Sequence, residues 1–297
     1  PIDQDGTMLW LANGRSYEEV LGSVETRIDS ALSKEEYHIY NADSKRYIDG
    51  GSQAAIRYGV YALQRAEVLG KANTDLDIHE KPYYEYRILN HWDNLDDTVE
   101  RGYAGLSMWE WTAKEIPAKR IHHYGELGAS VGLNGAVLNN VNANPLILDK
   151  EHIERVAQIA NILREYGITT YLSIKWTSPI TLDGLKSGDP LDPKVRQWWK
   201  NKASEIYAAI PDFGGFLVKA NSEGQAGPQD YGRTHADGAN MLAEAVAPYG
   251  GIIMWRAFVY SPSSSDRANQ AVEEFKSLDG QFADNVIIQI KNGPIDF

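Results

Sequence analysis

Residues 251–259 read GIIMWRAFV. The run shows no alternation of apolar and polar positions, so both faces of the strand it forms are expected to be buried, as in a parallel sheet covered by helices. Five similar runs accompany it: Tyr86–Asn90, Gly135–Asn139, Thr169–Ile174, Gly215–Lys219 and Asn285–Ile290, with the opening run itself read as Gly251–Phe258. Amphipathic helical patterns fill the gaps between them. Asp149 stands as cap before Ile153, Val156, Ile159, Ala160 and Leu163, and Gly167 ends that pattern. Asp192 and Pro193 form an N-cap and first-turn pair ahead of Val195, Trp199 and Ile206. Repeated β-α units imply a parallel sheet, either doubly wound or closed into a barrel. The turn after the first strand, HWDNLDD at 91–97, has neither GxGxxG nor GxxxxGK[ST], which favours a (β/α) TIM-type barrel. Such a barrel takes eight strands and about 250 residues. Residues 84–297 supply six strands, so the barrel is expected to be incomplete in this chain.

Ahead of it, residues 1–83 read as a small, partial α/β domain with its linker. Ser16 and Glu19 form a capping box, and Leu21, Val24, Ile28 and Leu32 continue at helical spacing, predicting a helix that carries all four. Tyr37–Tyr40 and Tyr47–Asp49 predict two paired strands, and Ser52 opens a helix carrying Ile56, Val60 and Leu63. The expected order is α-β-β-α. KANTDLDIHEKPY, residues 71–83, is polar and aperiodic and is taken as the linker.

Composition narrows the function. Among 297 residues, 41 acidic and 29 basic side chains leave a net charge of −12, unfavourable for nucleic acid or an anionic membrane surface. No apolar run approaches a bilayer span. The absence of cysteine excludes disulfides, thiolate catalysis and Cys-based metal sites. PIDQDGTMLW at the N-terminus lacks the pattern of a signal peptide, which favours a bacterial cytoplasm, although the chain can equally begin downstream of one. Eight Trp and 17 Tyr against 6 Phe favour rings with a flat face and a polar edge, suited to sugars.

Active sites of barrels gather at the C-terminal ends of the strands. There the sequence places His91, Trp92, Asp93 and Asn94; Asn139, Asn140 and Asn142; Lys175 and Trp176; Lys219, Asn221, Ser222 and Glu223; Trp255, Arg256 and Tyr260; and Lys291, Asn292 and Asp296. Glu223 and Asp296 would face one another across the mouth among Trp rings, and glycoside hydrolysis needs such a carboxyl pair. The competing reading pairs Glu223 with Lys219 or Arg256 in a structural salt bridge. Those two cations either answer the carboxylates or clamp a substrate carboxylate, which would make the substrate an acidic sugar. Gly128-Ala-Ser130-Val-Gly132 matches GxSxG by chance, because a helix rather than a strand precedes the Ser. His122 and His123 are adjacent on a predicted helix without an HExxH context, so no metal or cofactor is assigned.

The runs YRILNHWDNLDDTVERGYAG (86–105), NGAVLNNVNAN (134–144), FLVKANSEGQAGPQDYGRTHADGANMLAEA (216–245), GGIIMWRAFVY (250–260) and KNGPIDF (291–297) closely resemble the α-glucuronidases of the xylan-degrading glycoside hydrolases. The resemblance covers nearly all of residues 84–297. It implies cleavage, with inversion, of the α-1,2 bond joining glucuronic acid or its 4-O-methyl ether to xylooligosaccharides. By motif, it implies that Glu223 is the general acid and Asp296 one of two water-activating carboxylates. It further implies that Lys219 and Arg256 hold the uronate carboxylate, that Trp92 lines the sugar site, and that Val141 lies where the 4-O-methyl group is accommodated. The family's second base-associated glutamate, barrel closure and helical C-terminal domain have no counterpart before Phe297, so the chain is expected to be a fragment of a longer enzyme. Two rivals stay open: a sugar-binding or inert fragment, and a relative acting on another glycoside. The expected partner is an acidic xylooligosaccharide, and the sequence assigns no oligomeric state.

Overall fold

The computed structural model describes residues 15–221, 226–257 and 266–290. They fall in two compact units. One runs through Ile88 and adds Ala118–Asn134 and Ile162–Ile168; the other comprises Leu89–Pro117, Gly135–Asn161 and the chain from Thr169 onward.

The first unit opens with helix α1 (Tyr17–Leu21). Its capping box is formed as expected: Glu19 N donates to Ser16 Oγ at 3.2 Å and Ser16 N to the Glu19 carboxylate at 2.7 Å. The helix is far shorter than the apolar spacing suggests. It ends at Gly22, and Glu25–Ile28 forms strand β1. The i, i+4 spacing of Val24 and Ile28 fits a helix, yet β1 pairs in parallel with β3 (Lys45–Gly50), matching Glu25 with Tyr47 and Ile28 with Gly50. Strand β2 (Tyr37–Ala42) joins β3 as an antiparallel hairpin, and α2 (Gln53–Val68) follows. Ser52 caps α2 by accepting from Ala55 N at 3.2 Å. The stretch taken as a linker holds a further strand, β4 (Asp77–Glu80), antiparallel to β2. Its side chains are mostly exposed, which is why it reads as polar and aperiodic. The sheet order is β1-β3-β2-β4. Val20, Ile39, Ile48, Ile56, Val60 and Leu63 make its core against α2.

The six parallel strands are β5 (Ile88–Asn90), β6 (Gly135–Val137), β7 (Thr169–Ile174), β8 (Gly215–Val218), β9 (Ile252–Ala257) and β10 (Val286–Ile290). They lie in sequence order in one curled, half-barrel sheet. Between them run α3 (Ala118–Ser130), α4 (Lys150–Glu165), α5 (Ser178–Asp183), α6 (Pro193–Ala209), α7 (His235–Val246) and α8 (Arg267–Lys276). The caps are those expected: Asp149 accepts from His152 N at 2.8 Å and Asp192 from Lys194 N at 2.8 Å. None of the described helices is long and apolar enough to cross a membrane.

Register explains why the strands read as continuous apolar runs. Ile174, Val218 and Trp255 are matched across β7, β8 and β9, as are Leu172, Phe216 and Ile253, and all six are fully buried on the helix-covered face. The opposite face carries Tyr171, Ser173, Leu217, Met254 and, further along, Arg256 and Gln289. Gly215 shows how closely β8 approaches β9. Its φ is +124°, and a Cβ there would stand 1.9 Å from the Ile252 carbonyl oxygen. No other residue fits.

Candidate active site

Strand parity places the first two site residues. Val218 and Trp255 are register partners facing the helices, so Lys219 and Arg256, one step on, both point to the inner face from adjacent strands. They are 4% and 7% exposed. A buried cation is costly unless it is answered by polar or charged groups. Lys219 Nζ donates to Asn142 Oδ1, on the loop after β6. The Arg256 guanidinium carbon lies 5.9 Å from the centroid of the Trp92 ring, on the loop after β5. Four inter-strand steps separate β5 from β9, about 19 Å in a flat sheet. The contact therefore requires strong curling, which brings the first and fifth strand ends over one mouth.

Asn142 is held by a chain of side-chain amides. Its backbone N–H donates to Asn140 Oδ1 at 2.9 Å. Asn140 Nδ2 donates to Asn94 Oδ1 at 2.9 Å and to the Glu100 carbonyl at 3.0 Å. Asn94 Nδ2 in turn donates to Thr98 Oγ1 and to the Glu100 carbonyl, each at 2.9 Å. Asp93, nearly buried, fixes the same loop by accepting from Met108 N at 3.0 Å, while its carbonyl accepts from Asn140 N at 2.8 Å. Asn139 closes the next pair of strand ends, donating to the Ser173 carbonyl at 3.0 Å and accepting from Ser173 N at 2.9 Å. Asp93, Asn94, Asn139, Asn140 and Asn142 line a cavity of about 230 Å³. Val141, between Asn140 and Asn142, is 2% exposed.

Trp92, Val141, Lys219 and Arg256 are thus gathered around the strand ends of one unit. Glu223 and Asp296 lie outside the described residues, as do Ser222, Tyr260, Lys291 and Asn292. Trp176 and Trp255 differ from expectation. Both belong to the helix-facing layer, in edge contact at 5.9 Å, with Trp176 Nε1 donating to the Gly188 carbonyl at 3.1 Å and Trp255 Nε1 to His235 Nδ1 at 3.2 Å. At 1% and 0% exposure neither presents a face to a sugar. Ser130 of the GxSxG match ends α3 and donates back to the Leu127 carbonyl at 2.8 Å.

Gln289 belongs to the same face without a sequence signal beyond its place in the last strand. It is the register partner of Arg256, and its Oε1 is buried without a hydrogen-bond partner. Behind the sheet, His235 Nδ1 accepts from Trp255 and its Nε2 lies 3.9 Å from the Glu274 carboxylate. Burial holds its pKa down at about 4, so the ring is neutral at pH 7.

The family profile described as Glycosyl hydrolase family 67 middle domain matches residues 67–297. The chain belongs to glycosyl hydrolase family 67. It is 46% identical over 256 residues to a probable alpha-glucuronidase A of Aspergillus terreus, covering 84% of this chain and 30% of that protein. With alpha-glucuronidase A of Emericella nidulans it shares 44% over 296 residues (95% and 35%), and with alpha-glucuronidase of Hypocrea jecorina 41% over 298 residues (95% and 34%). The chain thus spans about a third of the length of the curated relatives it matches. Among solved structures, a β-N-acetylhexosaminidase from Bacteroides fragilis superposes with TM-score 0.56 at 12% identity, over 90% of this chain and 58% of that one. A GH138 enzyme targeting pectin rhamnogalacturonan II gives 0.54 at 15% identity, over 89% and 33%. These likenesses establish a fold shared with other glycoside hydrolases.

Proposed function

We propose that this family 67 chain carries the sugar-binding mouth, the acid and one base carboxylate of an α-glucuronidase that releases α-1,2-linked glucuronic acid, or its 4-O-methyl ether, from xylooligosaccharides with inversion. The observation that supports it most is the pair of nearly buried cations, Lys219 and Arg256, on one inner face of a chain with net charge −12. Two cations on adjacent strands suit the carboxylate of a uronic acid, Arg as a fork and Lys as a point charge.

In this reading the uronate carboxylate lies between Lys219 and Arg256, the sugar ring meets Trp92, and Val141 faces the 4-position. Glu223 donates a proton to the departing xylose oxygen while Asp296 accepts one from the water that attacks the anomeric carbon from the opposite face. One water is consumed, and the uronic acid leaves with inverted configuration. Inversion requires the two carboxyl groups about 6.5–9.5 Å apart, whereas about 5 Å would give retention. The division into a partial small domain at 1–83 and six barrel units at 84–297 is part of the same proposal.

The test is release of glucuronic acid from an aldouronic oligosaccharide by the full-length protein, followed by NMR of the released anomer. The β-anomer appearing first, and loss of turnover in Glu223→Gln, would support the assignment. Turnover unaffected by Glu223→Gln, or an α-anomer as first product, would overturn it. For the chain as given, one third of its relatives' length, the second reading is sugar binding without turnover; calorimetry with glucuronic acid beside the hydrolysis assay separates the two.

A further inference from the structure

We propose that Lys175 is a third substrate-binding cation, which meets the uronate from β7 beside Lys219 and Arg256. This rests on the functional reading above and adds a residue which that reading does not use.

Strand register carries the inference. Ile174, Val218 and Trp255 are partners across β7, β8 and β9, and all three face the helices. One step on, Lys175, Lys219 and Arg256 share a row on the opposite face. Trp176, directly after Lys175, is back in the helix-facing layer, so the alternation runs on through Lys175. The same row stands at the strand ends. Lys219 Nζ reaches Asn142 on the loop after β6, so its side chain crosses the end of β7, the strand that lies between β8 and β6.

Three cations on neighbouring strands, at steps of about 4.8 Å, repel one another. Two of them have partners within the protein: Lys219 bonds Asn142 and has a further interaction besides, and Arg256 has the Trp92 ring. Lys175 differs. Its carbonyl accepts from Ser178 N at 3.0 Å and from Ser178 Oγ at 2.7 Å, which fixes the backbone where the strand ends. Its ammonium makes no hydrogen bond or ion pair with another described residue. The side chain is also partly exposed, where Lys219 and Arg256 are nearly buried, so an incoming anion can reach it. An arrangement that costs stability and has no internal answer marks a place where a ligand supplies one. An ammonium is a compact point charge with three donors, and it takes a carboxylate oxygen without the fixed approach that an Arg fork requires.

The test removes this charge alone. Lys175→Met keeps an unbranched apolar stem at a partly exposed position, so Tm of the full-length protein is expected to be unchanged. By calorimetry, Kd for glucuronic acid should rise about five- to tenfold, while binding of neutral xylotriose is unaltered. Added salt should weaken glucuronic acid binding less steeply in Lys175→Met than in the unsubstituted protein, because one contributing charge is gone. Lys175→Arg keeps the charge and should recover most of the affinity. KM for an aldouronic oligosaccharide should follow Kd, with kcat within about threefold. An unchanged Kd for glucuronic acid in Lys175→Met, or an equal loss for xylotriose, would overturn the inference. So would a fall in kcat at unchanged Kd, which would set the ammonium against a catalytic carboxyl instead. In each of these cases the unsubstituted protein still binds and cleaves the acidic sugar; if it does neither, the functional reading fails and this inference with it.

Discussion

Arg256 makes the least replaceable contact at the mouth. It is nearly buried, its guanidinium lies over Trp92, and its fork geometry suits a carboxylate. Under the proposed function, Arg256→Lys keeps the charge but gives up both the contact with Trp92 and the planar fork that a uronate carboxylate would take. The expected outcome in the full-length protein is a fall of about 10- to 100-fold in kcat/KM on uronate substrates, read from initial rates. Trp92→Phe should cost less, within about tenfold, because a flat ring remains for the cation. At this scale the cations are legible in the sequence: a basic residue directly after a buried strand in an acidic chain stands out. Trp176 and Trp255 are misleading for a related reason. Standing next to Lys175 and Arg256, they share the mouth's neighbourhood in sequence, but one step along a strand reverses the side chain's direction. The place of Gln289 beside Arg256 stays hidden because it depends on pairing between two strands, which no single run of residues displays.

The elements divide the same way. All six barrel strands and the capped helices α4 and α6 are readable from apolar runs and caps, because N-cap chemistry and, for β6 to β9, burial on both faces are local signals. β1 and β4 are not. Val24 and Ile28 satisfy helical spacing, but Gly22 and Ser23 interrupt the backbone and the parallel partner β3 decides the outcome. β4 is an exposed edge strand whose pairing with β2 is long-range. Two substitutions test the elements. Asp192→Ala removes the cap of α6 and should lower stability by about 1 kcal/mol, seen as a modest drop in Tm. Gly215→Ala forces a Cβ against the Ile252 carbonyl at a positive φ, and is expected to cost more than about 3 kcal/mol or prevent folding, measured by denaturant titration and soluble yield.

For the whole molecule, the half-barrel sheet puts Lys219 and Arg256 on one face and Trp176, Phe216 and Trp255 on the other, and pH couples to the second layer. His235, buried behind Trp255 with its pKa lowered to about 4 from 6.5, binds a proton more readily unfolded than folded. Its contribution is fully present above pH 6.5 and is lost as pH falls from 6.5 toward 4, by on the order of 3 kcal/mol. Denaturant midpoints measured across that window should decline, and His235→Gln should flatten the decline.

The seating of Arg256 on Trp92 has one more effect. Under the proposed function, a guanidinium already in contact with an indole would lose less rotational freedom when a uronate carboxylate arrives, so part of the entropic penalty of capture would be met during folding rather than at the encounter. On the same reading, a change in tryptophan fluorescence on adding glucuronic acid, lost in Trp92→Phe, would report whether the mouth is filled.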